Sequence, residues 1–163
     1  MKVTIYSDGS SKGNPGPGGY GTILQYIDTK GKLHEMEITE GFRLTTNNRM
    51  ELLGAIKGLE ALKKPCDVLL ISDSKYLTDA FNKHWIYNWQ RSGFKKSDGS
   101  KVMNEDLWKR LLESIKPHNV TFEWIKGHAG HPENERCDRL AFNSADESDL
   151  LVDVTYEALN GEN

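Results

Sequence analysis

The sequence predicts an α/β domain that begins with three antiparallel strands and continues with alternating helices and strands. Residues 3–8 and two later runs alternate apolar and polar side chains between turn residues, a pattern typical of a strand meander. Residues 52–62 repeat leucine and isoleucine at helical spacing. Residues 67–72 (DVLLIS) are apolar with little alternation, which indicates a strand that is covered on both faces.

Each element has its own signal along the chain. The first strand should end at Asp8, before a long turn of glycine, asparagine and proline. Asn47 or Asn48 can cap the first helix, and Pro117 ends a later helix that Asn104 opens. Strands are expected at residues 3–8, 20–27, 33–42, 67–72 and 120–124, and helices after residues 48, 73 and 104 and over about 134–145, in the order βββαβα(α)αβα.

The composition is that of one globular domain. The 163 residues are 37% hydrophobic and 28% charged, and the start of the chain has no signal-peptide pattern. No run approaches the roughly 20 apolar residues of a membrane span. We therefore expect a cytoplasmic monomer without a membrane partner. Cys66 and Cys137 are too few for a disulfide scaffold and lie in apolar patterns, so both should be buried, reduced thiols.

Charge is distributed unevenly along the chain. The net charge is -3, but residues 141–163 contain six of the 24 acids and no lysine or arginine, so the rest carries 21 basic residues against 18 acids. The most basic stretch, residues 81–110, is net +4, and this local field is what a polyanion would meet. We assign residues 1–145 to the folded domain and expect residues 146–163 to form an acidic, loosely ordered tail.

Four carboxylates lie where the predicted elements can bring them to one edge of the sheet. Asp8 and Asp73 end strands, and ligand crevices in open α/β sheets lie at the carboxyl ends of strands. Glu51 lies in the first turn of a helix, on a face with small residues that would let it approach Asp8. Asp138 has no oppositely charged neighbour three or four positions away, so a metal or hydrogen bonds would have to compensate its charge.

Three of these acids have an alternative local role. Asp8 could start a turn with Gly9. Glu51 could complete a capping box with Asn48, and Asp73 could cap the helix that follows it. The presence of partner carboxylates favours a shared site over these separate roles.

Four carboxylates in one cleft repel each other unless divalent cations lie between them. Oxygen ligands without a cysteine or histidine pair favour Mg²⁺, with Mn²⁺ as a substitute. Two such ions can activate a water molecule and stabilise the leaving oxygen at phosphorus. The acids therefore point to metal-dependent hydrolysis of a phosphodiester.

Five segments of the chain resemble a known family: SDGSSKGNPGPGGYG, TTNNRMEL, SDSKY, WIYNW and KGHAGHPENERCD. By the order and spacing of these five segments, residues 3–145 resemble the bacterial type 1 ribonucleases H, which cut the RNA strand of RNA–DNA hybrids. The resemblance implies the ribonuclease H-like fold, with a five-stranded mixed sheet flanked by helices, and products with 5′-phosphate and 3′-hydroxyl ends. It also implies that the four acids bind two Mg²⁺ ions and that His128 assists proton transfer or product departure.

His128 also stands out by its own surroundings. Gly127 and Gly130 give its loop freedom, and an imidazole titrates near neutral pH. His131 and Cys137 raise the alternative of a zinc site. No fourth ligand for zinc is evident, however, and the neighbouring acids prefer harder ions.

Polar residues beside the acids fit the minor groove of a hybrid, which displays 2′-hydroxyls and base edges. Thr46 or Arg49 could hold phosphate, and turn or cap roles are the alternative for Asn14 and Asn47. By resemblance, we expect substrate contacts from Asn14, Thr46, Asn47 and Asn48, and Lys75, which flanks the acids, could add a phosphate contact.

A second set of expected contacts lies in the basic stretch. Trp85, Trp89 and Arg91 resemble the family's basic protrusion, which grips the DNA strand, although the tryptophans could instead pack against a neighbouring helix. Two departures from the family bear on affinity. Lys75 stands where glutamine is frequent, and residues 90–92 (QRS) replace a run of two or three basic residues.

Two other functions fit the same fold. A non-catalytic hybrid-binding module would gain from losing negative charge in the cleft, so the complete set of acids argues against it. A two-metal DNA nuclease or resolvase would need the same acids. The asparagine-rich turns and the basic protrusion favour the ribonuclease.

Overall fold

A computed structural model, which describes residues 1–160, shows a five-stranded mixed sheet flanked by helices. Its strands are β1 (Lys2–Ser11), β2 (Gly16–Ile27), β3 (Leu33–Thr45), β4 (Asp67–Ser72) and β5 (Asn119–Trp124). Its helices are α1 (Asn47–Glu60), α2 (Lys75–Asn82), α3 (Trp85–Arg91), α4 (Glu105–Ile115), α5 (Pro132–Ser144) and α6 (Val154–Asn160). The strand order is β3-β2-β1-β4-β5, with antiparallel pairing from β1 to β3 and parallel pairing of β4 with β1 and β5. The predicted fold class is confirmed.

The sheet is packed on both faces. The main core lies between the sheet and α1 with α4, and α5 lies against the opposite face. Alternation along β2 separates the two sides, since Thr22 donates a hydrogen bond to the Gly54 carbonyl of α1 (2.7 Å) while Gly21 faces α5. A Cβ atom on Gly21 would lie 2.4 Å from the Cys137 carbonyl oxygen, so only glycine lets α5 approach β2 this closely.

Strand β1 is longer than the sequence predicts. It continues to Ser11 because residues 8–11 still pair with β2, whereas its parallel pairing with β4 stops at Ser7. Asp8 therefore lies inside a strand, not at its end, at the first position where β1 no longer has β4 beside it. Strands β2 and β3 are also longer than predicted, because their pairing continues to Gly16 of β2 opposite Thr45 of β3.

The start of α1 also differs from the prediction. Thr46, rather than Asn47 or Asn48, is the capping residue, and its hydroxyl accepts a hydrogen bond from the Arg49 N–H (3.2 Å). The two asparagines are the first residues of the helix itself. Glu51 consequently lies in the second turn of α1 instead of the first.

Residues 151–160 pack against the domain instead of forming a loosely ordered tail. The Leu151 N–H donates to the Gly41 carbonyl (2.8 Å), and the Leu151 carbonyl accepts from the Arg43 N–H (2.9 Å). Asp153 is buried against Arg49, and α6 follows it. The acids of this segment have arginine partners in the domain, and local composition does not reveal such pairing. The last part of the expected tail, residues 161–163, lies outside the described residues.

Cys66 and Cys137 are buried free thiols, as predicted. Among the described residues, no helix combines the length and the apolar character that crossing a membrane requires.

Candidate active site

Three of the four predicted acids meet where β1 and β4 part. Asp8 lies in β1, Glu51 lies in α1, and Asp73 directly follows β4. Each offers a carboxylate oxygen that lies within 4.8 Å of the oxygens of the other two. Ser74, not Asp73, caps α2 by accepting a hydrogen bond from the Leu77 N–H (3.2 Å). The capping alternative for Asp73 is therefore wrong, and its carboxylate belongs to this acid cluster of Asp8, Glu51 and Asp73.

Glu51 is held in the acid cluster by the backbone of β1. The Gly9 N–H donates to Glu51 Oε1 at 2.6 Å and to Asp8 Oδ1 at 2.9 Å. A Cβ atom on Gly9 would lie 2.3 Å from the Met50 carbonyl carbon, so the absence of a side chain there is what allows α1 to lie so close to β1. The Glu51 carboxylate thus accepts a hydrogen bond from the backbone of β1, and the capping-box alternative with Asn48 is wrong.

The electrostatics of the acid cluster are those of buried, mutually repelling carboxyl groups. Asp8 is 5% exposed and Glu51 is 8% exposed. Burial raises the pKa of both groups above the usual carboxyl range, and the charge of Asp73 raises both pKa values further. The second oxygen of Glu51, Oε2, is buried and has no hydrogen-bond partner among the described residues. Without a cation, the Asp8–Glu51 pair therefore retains a proton at pH values where an exposed carboxyl group has lost it.

Asp138 lies near the acid cluster but outside the three-oxygen group. It is half-buried on α5, and its charge is close enough to contribute to the raised pKa of Asp8. The register explains this approach, because Asp8 pairs with Gly21, the residue that lets α5 pack closely against the sheet. The fold thus brings the fourth acid to the same edge from the opposite face.

His128 lies in the exposed loop between β5 and α5. Its backbone is in the left-handed region (φ 55°), as is that of Gly130 (φ 87°). A Cβ atom on Gly127 would lie 2.6 Å from Asp73 Oδ2. A side chain at position 127 would have to displace the Asp73 carboxylate, so Gly127 lets the histidine loop lie directly against the acid cluster.

The zinc alternative has no support in the geometry. Within residues 1–160, the acid cluster is the only group of three or more histidine, cysteine or acidic side chains arranged to hold a metal ion. His131 precedes α5, and burial raises the pKa of the Cys137 thiol, which keeps it protonated.

The expected polar contacts surround the same edge of the sheet. The Asn47 N–H donates to Asn14 Oδ1 (3.1 Å), and the Ser11 N–H donates to Asn47 Oδ1 (2.6 Å). The turn and cap roles weighed for these asparagines therefore include real hydrogen bonds that join the glycine-rich turn to α1. These bonds use the side-chain oxygens of both residues.

A cavity of about 360 Å³ lies between this turn, α1 and the segment before α4. We call it the groove pocket. Residues that line it include Asn14, Thr46, Asn48, Trp89, Lys96 and Asn104. Four of the predicted substrate contacts, Asn14, Thr46, Asn48 and Trp89, thus share one surface with Lys96 of the basic stretch.

The residues of the basic protrusion divide into packed and exposed ones. Trp89 packs on Trp108, with 5.2 Å between ring centroids, so the packing alternative holds for Trp89 in addition to its place in the groove pocket. Trp85 is 43% exposed, and Arg91 is exposed at the end of α3. Lys75 does not belong to the basic protrusion. It lies at the start of α2, with its ammonium group 4.6 Å from the ring centroid of Trp124.

The guanidinium group of Arg49 is engaged by two aspartates instead of being free to hold phosphate. This side chain is 3% exposed and donates to Asp106 (2.7 and 2.8 Å) and to Asp153 (2.7 and 2.9 Å). Sequence analysis missed Asp153. The available signal was an aspartate directly before a short run with helical spacing of apolar residues, which is typical of a capped helix start.

Comparison with known proteins identifies the family. Residues 1–146 match the family model of RNase H. The chain belongs to the RNase H family. A curated Ribonuclease H of Lachnoclostridium phytofermentans is 58% identical to it over 158 residues, which are 96% of this chain and 100% of that protein. A Ribonuclease H of Enterobacter sp. (strain 638) is 51% identical over 96% of each chain. This RNase H is therefore an enzyme of the nuclease class.

Solved structures agree with the fold of this RNase H. LC9-RNase H1, described as a type 1 RNase H with the type 2 active-site motif, is 32% identical and has a TM-score of 0.81 over 97% of this chain and 80% of that chain. LC11-RNase H1 in complex with RNA/DNA hybrid is 23% identical, with a TM-score of 0.63 over 88% of this chain and 96% of that chain. The second likeness concerns the fold alone.

Proposed function

We propose that this RNase H hydrolyses the RNA strand of RNA–DNA hybrids and leaves 5′-phosphate and 3′-hydroxyl ends. The reaction requires divalent metal ions, Mg²⁺ in the first place, bound by Asp8, Glu51, Asp73 and Asp138. The observation that carries the proposal is the acid cluster, in which Glu51 Oε2 is buried without a hydrogen-bond partner among the described residues. Buried carboxylates this close together need a cation, and an all-oxygen donor set suits a hard divalent ion.

The residues of the site divide the work. Asp8, Glu51, Asp73 and Asp138 would hold the ions, which would supply an activated water and stabilise the leaving oxygen at phosphorus. The protein positions the ligands: the Gly9 N–H orients Glu51, and Gly127 allows the histidine loop to lie against Asp73. His128 carries a proton on its imidazole during attack or product departure.

Recognition of the hybrid is assigned to the surface around the acid cluster. Asn14, Asn47, Asn48 and Lys75 face the minor groove and the RNA strand. Thr46, Lys96 and Asn104 of the groove pocket, with Trp85, Trp89 and Arg91, hold the DNA strand. LC11-RNase H1, which shares the fold, was solved with RNA/DNA hybrid, and this supports a hybrid as the ligand of the fold. We place the catalytic domain in residues 1–145 and propose that one chain is the active unit.

One assay tests the proposal against its alternatives. Strand-labelled RNA–DNA hybrid, RNA–RNA duplex and DNA–DNA duplex are each incubated with Mg²⁺ or with EDTA. Only the RNA strand of the hybrid should be cut, and only with Mg²⁺. Cleavage of the DNA–DNA duplex would favour a related DNA nuclease, and hybrid binding without cleavage would favour a binding module. Treatment of the products with a phosphatase should change the mobility of the fragments that carry a 5′-phosphate.

A further inference from the structure

The C-terminal helix α6 contributes to the groove pocket. Tyr156, in the middle of α6, is half-buried and lines this cavity together with Asn14, Thr46 and Trp89. The family model ends at residue 146, so this side chain comes from outside the matched domain. We propose that Tyr156 contacts the nucleic-acid strand in the groove pocket and that Asp153 is the residue that positions it. This inference rests on the proposed function.

Asp153 joins α6 to the body of the domain through one carboxylate. Its Oδ1 atom accepts from the Tyr156 N–H (3.4 Å) and from Arg49 Nη2 (2.9 Å). Its Oδ2 atom accepts from Arg49 Nε (2.7 Å) and from the Thr45 hydroxyl (2.7 Å). The side chain is buried, and a buried charge with this many partners has a single favourable position. The start of α6 is therefore fixed relative to Thr45 and Arg49, which flank the capping residue of α1.

Arginine contacts also set the charge and position of α6. Arg43 makes a two-nitrogen contact with Glu157, at 2.7 and 2.9 Å. This pairing compensates an acid that would otherwise repel phosphate from the groove pocket. The Arg49 guanidinium lies 5.9 Å from the Tyr156 ring centroid. The helix thus presents an aromatic ring to the pocket. The acid that precedes the helix, Asp153, and the acid within it, Glu157, are both paired with arginine.

The other walls of the pocket indicate what the ring contacts. Asn14 and Asn48 carry amides, Thr46 carries a hydroxyl and Lys96 carries a cation, and such groups bind phosphate and sugar oxygens. Tyr156, Trp89 and Tyr76 add three aromatic rings, on which sugars and bases of a flexible strand pack without sequence preference. A nucleic-acid backbone is the occupant that uses both kinds of group.

The test uses the full-length chain and a labelled RNA–DNA hybrid. Binding is measured in EDTA, and KM and kcat are measured with Mg²⁺. Tyr156→Ala should weaken hybrid binding and raise KM by about tenfold, as expected for loss of one aromatic contact, with kcat nearly unchanged. Tyr156→Phe should retain most of the affinity. Leu159→Ala, on the same helix with its side chain 76% exposed, is the matched control and should bind like the wild type.

Salt dependence and a double variant separate a contact from a general structural effect. Tyr156→Ala should leave the slope of log affinity against log salt unchanged, whereas Lys96→Ala should reduce it by about one. Asp153→Asn should also raise KM, and it should add little to the effect of Tyr156→Ala if it acts by positioning the ring. All assays are run well below the melting temperature of each variant.

Several outcomes would overturn the inference. Wild-type affinity of Tyr156→Ala would do so, and so would a loss confined to kcat. Fully additive effects of Asp153→Asn and Tyr156→Ala would remove the positioning role of Asp153. If Tyr156→Ala does not fold, Tyr156→Leu provides the same comparison, since it removes the aromatic ring but keeps an apolar side chain. Failure of the wild-type protein to cut or bind the hybrid would instead contradict the proposed function itself.

Discussion

The backbone N–H of Gly9 donates to Glu51 Oε1 across 2.6 Å and joins the strand that carries Asp8 to the helix that carries Glu51. The contact needs glycine at position 9, because a Cβ atom there would lie 2.3 Å from the Met50 carbonyl carbon. Two proposed metal ligands are thus held in one geometry by a residue that carries no side chain.

Gly9→Ala should damage activity more than stability. The added methyl group must push α1 away from β1, and a shift of about 1 Å at a catalytic group costs roughly 10²-fold in rate. Stability should fall by about 1–3 kcal/mol. Hybrid cleavage and urea unfolding measure the two effects. Gly54→Ala in α1 is the control, because a Cβ atom there would lie 3.3 Å from its nearest neighbouring atoms, and this variant should remain active. Normal cleavage by Gly9→Ala would show that this close approach is not needed.

Stability without metal should fall as the pH rises. The pKa of Asp8 and that of Glu51 are raised in the folded protein, chiefly by burial. The native state therefore keeps protons that the unfolded chain releases, and stability is lost from the unfolded carboxyl pKa near 4 upward through the raised folded values. Denaturant unfolding in EDTA between pH 5 and 9 measures this slope. Added Mg²⁺ should restore stability, because it binds only the native site.

Asp8→Asn should be inactive and, in EDTA, more stable than the wild type. The amide keeps the size of the side chain but removes the buried charge, so at pH 8 the free energy of unfolding should rise by about 1 kcal/mol or more. The pH slope should become shallower. Asp98→Asn is the contrasting control, because hydrogen bonds from Ser100 lower the pKa of that exposed carboxyl group. If Asp8→Asn were less stable than the wild type by the same amount at every pH, the electrostatic explanation would be contradicted.

Asp73→Asn should separate catalysis from binding. Removal of one proposed metal ligand should lower cleavage by orders of magnitude, while hybrid affinity in EDTA should stay level or improve because the cleft is less anionic. His128→Ala should lose only about 10²–10⁴-fold, the usual contribution of a proton-transfer group, and should thus exceed Asp73→Asn in residual activity. Asp79→Asn, at a half-buried acid of α2 that pairs with Lys83 and lies outside the acid cluster, serves as the control. Near-normal cleavage by Asp73→Asn would remove this carboxylate from the catalytic set.

Arg91→Ala should test the proposed basic protrusion. Loss of one phosphate contact should raise KM, leave kcat nearly unchanged and reduce the salt slope of binding by about one. Lys116→Ala is the control, since that exposed lysine pairs with Glu113 at the end of α4, away from the site. An unchanged slope for Arg91→Ala would place the DNA-binding surface elsewhere.

Asp153→Ala should destabilise the protein strongly. It leaves the 3%-exposed Arg49 without one of its two acidic partners, and breaking a buried ion pair costs about 3–5 kcal/mol. Tm should fall by roughly 2–4 °C for each kcal/mol in a chain of this size. Deletion of residues 147–163 should cost at least as much. Glu157→Gln removes a solvent-screened surface pair with Arg43 and should cost much less than Asp153→Ala. An unaffected Tm for Asp153→Ala would mean that the C-terminal segment contributes little to the fold.

The sequence by itself determined the class of the fold and most of its elements. Alternation in β1, the apolar run of β4 and the helical spacing in α1 are local patterns, because each reports which side of one element faces the core. The motifs around Asp8, Glu51, Asp73 and Asp138 were sufficient to identify the family and to name the candidate ligands. Their chemistry follows from residue type alone, since closely placed carboxylates call for hard cations wherever they occur.

Only the tertiary structure decided which polar groups are partners. Thr46 rather than its asparagine neighbours caps α1, because the choice depends on where the backbone turns, which spacing does not resolve. Gly9 and Gly127 proved to be sites of close approach to other segments, which no local pattern indicates. The largest difference is the C-terminal segment, where Asp153 pairs with Arg49 across 104 positions of the chain. Composition correctly described these residues as acidic, but whether acids repel or stabilise depends on the charges that the fold places opposite them.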